Sequence, residues 1–240
     1  MTDLPHGPSG TPKILAFDCA GGACSAALLA NGELVAQRFA PMLQGHGERL
    51  MPMLREVMAE ARLAFAALDA IAVTVGPGRF TGLRVGIAAA RGLALATGKP
   101  ALGIASFAAV AAQARRERAE AMALLAVIDS GRDEIFAQRF DGAGRPQGAP
   151  QIATPARLAG ELAAGPLLLA GDGADLVRRA LGARGDASGR IAVLAGPIRA
   201  ETVAALGAAE LARLAPDHPP EPPRPIYLRA PDAKLPGPPR

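Results

Sequence analysis

Ile71 to Arg84 reads IAVTVGPGRFTGLR, an apolar run that stops at Gly76-Pro77-Gly78 and passes into small residues at helical spacing. A strand that ends in a glycine turn and feeds a helix is how α/β folds build the edges that face ligands. Two phosphate loops share this outline, and neither fits. The P-loop needs a Lys and a Ser or Thr directly after its last glycine, whereas Gly82 is followed by Leu83 and Arg84. The dinucleotide fingerprint spaces its second and third glycines three apart; Gly78 and Gly82 are four apart, and Pro77 removes an amide that a phosphate could use. The turn therefore reads first as backbone geometry, a tight corner beside a closely packed helix, with a ligand or a protein contact left open.

Upstream of this corner, Lys13 to Cys19 and Ala23 to Ala30 read as strands, and Asn31-Gly32 is a type I′ hairpin signal leading into Glu33 to Phe39. From His46 the period changes: Leu50, Met53, Leu54, Val57, Met58 and Ala61 fall at helical spacing between charged residues. Strand Ala70 to Val75 follows, then the glycine turn, then a helix from Phe80 to Thr97 closed by Gly98 and Pro100, then strand Ala101 to Ala105. The order βββαβαβ predicts a mixed sheet with helices on its faces.

The second half echoes the arrangement less clearly. Met122 to Asp129 and Glu134 to Phe140 read as strands around Ser130-Gly131-Arg132, followed by a loop rich in Gly and Pro, a helix from Pro155 to Ala164 and strand Pro166 to Ala170. That strand ends in Gly171-Asp172-Gly173 and enters a helix from Ala174 to Leu181, so PLLLAGDGAD echoes IAVTVGPGRF. The echo predicts two lobes of related architecture with glycine turns in corresponding places. The expected organisation is a lead at 1–12, lobes at 13–105 and 106–215 (with a last helix from Ala200 to Leu214), and a proline-rich tail at 216–240 in which only Ile226-Tyr227-Leu228 looks able to dock.

The chain has 240 residues, half of them hydrophobic, enough for one large core or two modest ones. Cys19 and Cys24 are the two cysteines; they make no disulfide framework, and with three histidines no recognisable zinc spacing, so they read as buried thiols in a reducing compartment. Apolar runs near Leu15 and Val85 are broken by Asp18 and Arg91, and no leader is evident, which predicts a soluble cytoplasmic protein without membrane association. A net charge of +4 permits contact with RNA, but one Tyr, no Trp and seven Phe argue against a base-stacking platform.

Some residue types at these positions carry chemistry elsewhere. Asp18 closes the first strand just before Gly21-Gly22 and Ser25, where a carboxylate could hold hydrated magnesium or simply cap a turn. Asp129 and Asp172 hold similar strand-end positions, so Asp18, Ser25, Gly76, Gly78, Asp129, Gly171, Asp172 and Gly173 form the candidate nucleotide-facing set. His46 begins a helix, but the residue one turn on is Leu50, which removes the ligand pair a metal would need, so no metal is expected and His46 reads as an exposed or helix-N-terminal position. Four of the six methionines, Met42, Met51, Met53 and Met58, lie on or before that helix, and the next helix is rich in Gly and Ala; together they read as a helical interface or as ordinary core.

At this point the residues are recognisable: ILAFDCAGGACSAALL, HGERLMPMLREVM, DAIAVTVGPGRFTGLRVGIAAARGLA, LLAVIDSGRDEIFAQ and PIYLR together resemble, in order and over nearly the whole chain, the TsaB (YeaZ) family, accessory proteins for threonylcarbamoyladenosine in tRNA. GPGRFTGLR is the most specific block, with Arg79 where the family usually has Ser. The resemblance implies an α/β, two-lobed actin-like ATPase fold of the sugar-kinase and chaperone-ATPase type. It implies a non-catalytic subunit required with TsaD and the ATPase TsaE for transfer of a threonylcarbamoyl group onto the adenosine beside the anticodon, with tRNA met through the complex. TsaD carries a metal-binding His-x-x-x-His, and the matching places here are His46 and Leu50.

In the family the helices matching Gly47 to Arg62 and Phe80 to Thr97 pack against TsaD or a second copy, which puts His46, Arg49, Leu50, Met53, Leu54, Val57, Leu83, Ile87 and Arg91 forward as partner-interface residues. The resemblance fixes no cofactor and leaves ATP or ADP open, at the lobe cleft or at the complex interface. Two departures weaken nucleotide hydrolysis: the first turn reads Asp18-Cys19-Ala20-Gly21 instead of an Asp-Thr-Ser-Thr-like run, and Asp129-Ser130-Gly131-Arg132 lacks a paired-glycine phosphate turn. The alternative class is a small-molecule kinase or ATPase of the same fold with Asp18 and Asp129 on magnesium. A peptidase would need a metal, and direct tRNA contact would be a contributing surface.

Overall fold

The computed structural model describes residues 11–118, 122–162, 165–183, 191–215 and 220–229. Strands β1 (Ile14–Asp18), β2 (Ala23–Ala30) and β3 (Glu33–Pro41) form the expected meander, and Asn31 and Gly32 both take positive φ, as a type I′ turn requires. Helix α1 (His46–Glu60), β4 (Ala70–Gly76), α2 (Phe80–Thr97), β5 (Ala101–Ala105) and α3 (Ser106–Glu117) follow. The second half runs β6 (Ala123–Asp129), β7 (Ile135–Phe140), β8 (Pro146–Ala153), α4 (Pro155–Gly160), β9 (Leu167–Gly171), α5 (Ala174–Ala183), β10 (Ile191–Ala195) and α6 (Ala200–Leu211).

The two sheets have one topology, β3-β2-β1-β4-β5 and β8-β7-β6-β9-β10, with the first three strands antiparallel and the last two added in parallel. The duplicated pattern is thus a duplicated fold. Period-two alternation explains the layering. Leu15 and Phe17 of β1 face a core built with Leu50, Met53, Leu54 and Val57 of α1 and Leu83 and Ile87 of α2. Ile14 and Ala16 face the opposite way, into a core shared with α3, α6 and the second sheet. The outer face of the second sheet is covered by α4 and α5. Strands β1 and β4 are buried along their whole length, and they therefore read as continuous apolar runs.

Glycines set the distances between these layers. A Cβ on Gly82 of α2 would stand 1.8 Å from the Cys19 carbonyl, and one on Gly207 of α6 would stand 2.6 Å from the Ala72 Cβ. The two helices therefore lie tight against opposite faces of the first sheet, where only glycine fits.

Several expectations need correction. The stretch after β7 is not a loop: it is edge strand β8, whose prolines and glycine are tolerated because an edge strand leaves part of its backbone unpaired. Helices α3 and α6 fill the space between the sheets, and α6, placed by sequence in the second lobe, lies across β1, β2 and β4 of the first. Helix α4 ends at Gly160, and the Ala164 limit read from sequence lies outside the described residues, as do residues 1–10 of the lead and 230–240 of the tail.

Candidate functional site

The cleft between the lobes is where β1, β4, β6 and β9 end, and its geometry follows from the duplication. Gly76 and Gly171 close β4 and β9 with φ of 108° and 106°, a region that favours glycine, so each chain turns sharply into the next helix. Asp18 and Asp129 close the equivalent strands β1 and β6. The turn GDG carries Asp172 where GPG carries Pro77, and this one difference shapes the cleft.

Asp172 belongs to the second lobe, yet its Oδ2 accepts the Gly22 amide of the first at 3.3 Å while its Oδ1 accepts the Asp129 amide at 2.9 Å. The first-turn amide that could have held a phosphate is therefore bound to the chain's own carboxylate. Burial pushes the Asp172 carboxyl up to about 6, and the Asp129 charge adds to the shift. Asp18 is fully buried; its Oδ1 accepts the Ala20 amide at 3.2 Å and the Thr74 hydroxyl, and its Oδ2 has no partner. Burial pushes that carboxyl up to about 7 against both hydrogen bonds. Across the cleft mouth the Arg79 guanidinium meets Asp129 Oδ2 at 2.5 Å, and Asp129 Oδ1 accepts the Gly131 amide at 2.8 Å. The space left among Gly21, Pro77, Ser106, Ile128 and Asp172 is about 10 Å³, room for one water.

The candidate nucleotide-facing carboxylates thus come together, and apart from Asp18 Oδ2 their oxygens are engaged by amides and side chains of the chain itself. Ser25 donates its hydroxyl to the Ile198 carbonyl at 3.2 Å, tying β2 to the lead of α6. Gly76 is covered by the tail, since a Cβ there would stand 2.7 Å from the Ile226 carbonyl, and Gly78 lies as closely against Ala20. Gly171 and Gly173 pack on Val127 of β6.

The partner-interface set requires a correction. Leu50, Met53, Leu54, Val57, Leu83 and Ile87 are at most 5% exposed and form the core between α1, α2 and the first sheet. Arg49 is half-buried and pairs with Glu56 at 2.6 Å; Arg91 is exposed. His46 is the first residue of α1 but buried, and that burial pushes its imidazole pKa down. Among the described residues, no group of three or more His, Cys, Asp or Glu is placed to hold a metal ion.

The surface that these helices do present is a stripe along α2, Arg84, Ala88, Arg91 and Leu95, with Leu95 89% exposed. Beside its start lies a groove of about 520 Å³ between the first turns of α1 and α2, lined by Leu43, His46, Gly47, Arg79, Phe80 and Val85 among others. The tail completes this end: the Ile226 amide donates to the Val75 carbonyl at 2.7 Å, and Arg84 Nε donates to the Tyr227 hydroxyl at 2.9 Å while its guanidinium stacks 3.8 Å over Phe80. Arg229 then pairs with Glu134 of the second lobe. Sequence reasoning flagged Ile226 to Leu228 as able to dock but missed Phe80 and Arg84. The available signal was that the tail holds the chain's one tyrosine. Among the described residues no helix is long and apolar enough to cross a membrane.

Comparison with known proteins gives a consistent result. The family model described as TsaD, tRNA N6-adenosine threonylcarbamoyltransferase, matches residues 40–174. The tRNA threonylcarbamoyladenosine biosynthesis protein TsaB of Haemophilus influenzae is 38% identical over 128 residues, 51% of this chain and 51% of that protein. The protein of the same name from Escherichia coli K12 is 36% identical over 124 residues, 52% and 53% of the two chains, so the match spans about half the length of these curated relatives. The solved structure of YeaZ from Pseudomonas aeruginosa superposes with a TM-score of 0.75 at 32% identity, covering 90% of this chain and all of that one. At the level of fold alone, (R)-2-hydroxyglutaryl-CoA dehydratase component A of Acidaminococcus fermentans is similar, with a TM-score of 0.51 at 11% identity. The architecture is the two-lobed actin-like ATPase fold.

Proposed function

The chain belongs to the TsaB (YeaZ) family, and from that premise we propose that it is the non-catalytic accessory subunit of a tRNA threonylcarbamoyl transferase, supporting a TsaD-type catalytic subunit together with the ATPase TsaE. One observation carries this reading: Asp172 holds the Gly22 amide from across the cleft, and Arg79 holds Asp129, so the turn amide and the second-lobe carboxylate that a nucleotide and its magnesium would need are already paired. The contact with TsaD is assigned to the outward stripe of α2 and the groove beside it, where small residues let another helix approach and Leu95 and Phe80 offer apolar area. A second copy of the chain would meet the same surface, and tRNA would be reached through the complex. The cleft takes no ATP or ADP while Asp172 is seated; a nucleotide in the complex would sit at the subunit boundary.

Size-exclusion chromatography of the chain with its cognate TsaD and TsaE, with and without ATP, followed by a tRNA-modification assay, tests the proposal. Co-elution with TsaD, dependence of modification on this chain and background ATP hydrolysis by the chain alone are expected. Magnesium-dependent turnover by the isolated chain that Asp18→Asn abolishes would replace this reading with the kinase or ATPase alternative.

A further inference from the structure

Cys19 and Cys24, the chain's two cysteines, face each other with their sulfurs 3.6 Å apart inside the first lobe. The last pair in the antiparallel β1–β2 ladder is Asp18 opposite Ser25, so one further step along the same register sets Cys19 opposite Cys24. Directly opposed residues in such a ladder have Cα atoms about 4.5–5.5 Å apart, inside the range of roughly 4.4–6.8 Å that a disulfide spans. Both side chains also point to the same face, into the core with Phe17 and Leu83. We propose that Cys19 and Cys24 are a redox modification site that closes to a cross-strand disulfide on reaction with a hydroperoxide.

The chemistry divides between the two sulfurs. Their shared hydrogen bond favours the thiolate on Cys24, whose pKa is lowered, and keeps the proton on Cys19, whose pKa is raised. The Cys24 thiolate attacks one peroxide oxygen; the O–O bond breaks, hydroxide leaves, and Cys24 becomes a sulfenic acid. The Cys19 sulfur then attacks the Cys24 sulfur as its proton is lost, the S–O bond breaks and water leaves, so two thiols and one hydrogen peroxide give one disulfide and two waters. Both thiols are buried, and the groove beside α2 passes near Cys19. Gly82 lines that groove, and a Cβ there would lie 3.8 Å from the Cys19 Cβ.

The bond matters because of what the 19–24 turn holds. The Ala20 carbonyl accepts the Arg79 amide at 2.7 Å, the Gly22 amide binds Asp172 at 3.3 Å, and the Gly22 carbonyl accepts the Met42 amide at 3.1 Å. Drawing the sulfurs from 3.6 Å to about 2.05 Å shifts a turn that positions the start of α2 and the lobe contact together.

The test is intact mass and thiol titration of the full chain after hydrogen peroxide, with dimedone present as a sulfenic-acid trap. The native chain should lose two hydrogens and both titratable thiols, take up no dimedone and recover on dithiothreitol. Cys19→Ser should instead take up one dimedone at Cys24, and amide exchange at Arg79 and Gly22 should change on oxidation of the native chain only. Retention of both thiols under peroxide that oxidises the urea-unfolded chain would overturn the proposal. So would dimedone capture or sulfonic acid in the native chain without a cross-link.

Discussion

Arg79, at the start of α2, and Asp129, at the end of β6, form a 2.5 Å ion pair that joins the two lobes across the mouth of the cleft. The side chains are 24% and 23% exposed, so water partly screens the pair. Removing it with Arg79→Ser, the residue the family usually carries, should lower unfolding free energy by about 1 kcal/mol and speed amide exchange at Gly131. Urea denaturation read by circular dichroism checks the first; no change in midpoint would mean that the pair contributes nothing.

Asp18 and Asp172 should give the protein an inverted pH profile for two carboxylates. Their native values, about 7 and about 6, lie above the ordinary 3.8, so between about pH 4 and pH 7 the folded state binds more protons than the unfolded one. Their contribution to stability is therefore largest in acid, falls as pH rises through that window and levels off above it. Asp18→Asn keeps an oxygen for the Ala20 amide and the Thr74 hydroxyl but carries no charge. Its stability relative to the parent should rise by on the order of 2 kcal/mol between pH 5 and pH 8. Thermal unfolding at the two pH values measures the difference.

Two glycines of α2 should respond oppositely to alanine. A methyl at Gly82 meets the Cys19 carbonyl backbone at 1.8 Å, so Gly82→Ala should cost more than about 3 kcal/mol or prevent folding. A methyl at Gly92 meets nothing within 4 Å, and there the helix preference of alanine should add about 1 kcal/mol. Differential scanning calorimetry of both variants decides it, and a stable Gly82→Ala protein would contradict the packing of α2 on the first strand.

The buried and exposed faces of the first two helices should separate folding from association. Met53→Asp places a charge in a core position that is 0% exposed and should unfold the lobe. Leu95→Asp, at a position 89% exposed, should leave the melting curve unchanged while weakening co-elution with TsaD. Equal association for Leu95→Asp and parent would move the partner surface off this end of α2.

The frame was legible because it is local. The apolar runs, Asn31-Gly32 and the two Gly-x-Gly corners give β1 to β7, α1, α2, β9 and α5 within a residue or two. What escaped is what depends on distant neighbours. Pro146, Gly148 and Pro150 in β8 read as loop because an edge strand needs few of the usual strand residues. Alanine-rich α3 has little apolar period, being packed on two sides. In α1, the spacing of Leu50, Met53, Leu54 and Val57 marks a face that is covered; it does not say whether a partner or the chain's own sheet covers it, and here it is the sheet. In the cleft the strand-end carboxylates could be named, but Asp172 reaching Gly22 joins residues 150 positions apart.

The placement of α6 sets the order in which the molecule can be finished. Ile14, Ala16, Ala70 and Ala72 leave the ribosome well before the helix that covers them, which spans Ala200–Leu211. A nascent chain can close the α1–α2 side of its first sheet early, but the opposite apolar face waits for α6 to be translated. Any fragment that stops short of α6 keeps that face uncovered, and such a fragment is expected to aggregate or to need a chaperone, however intact its own strands are.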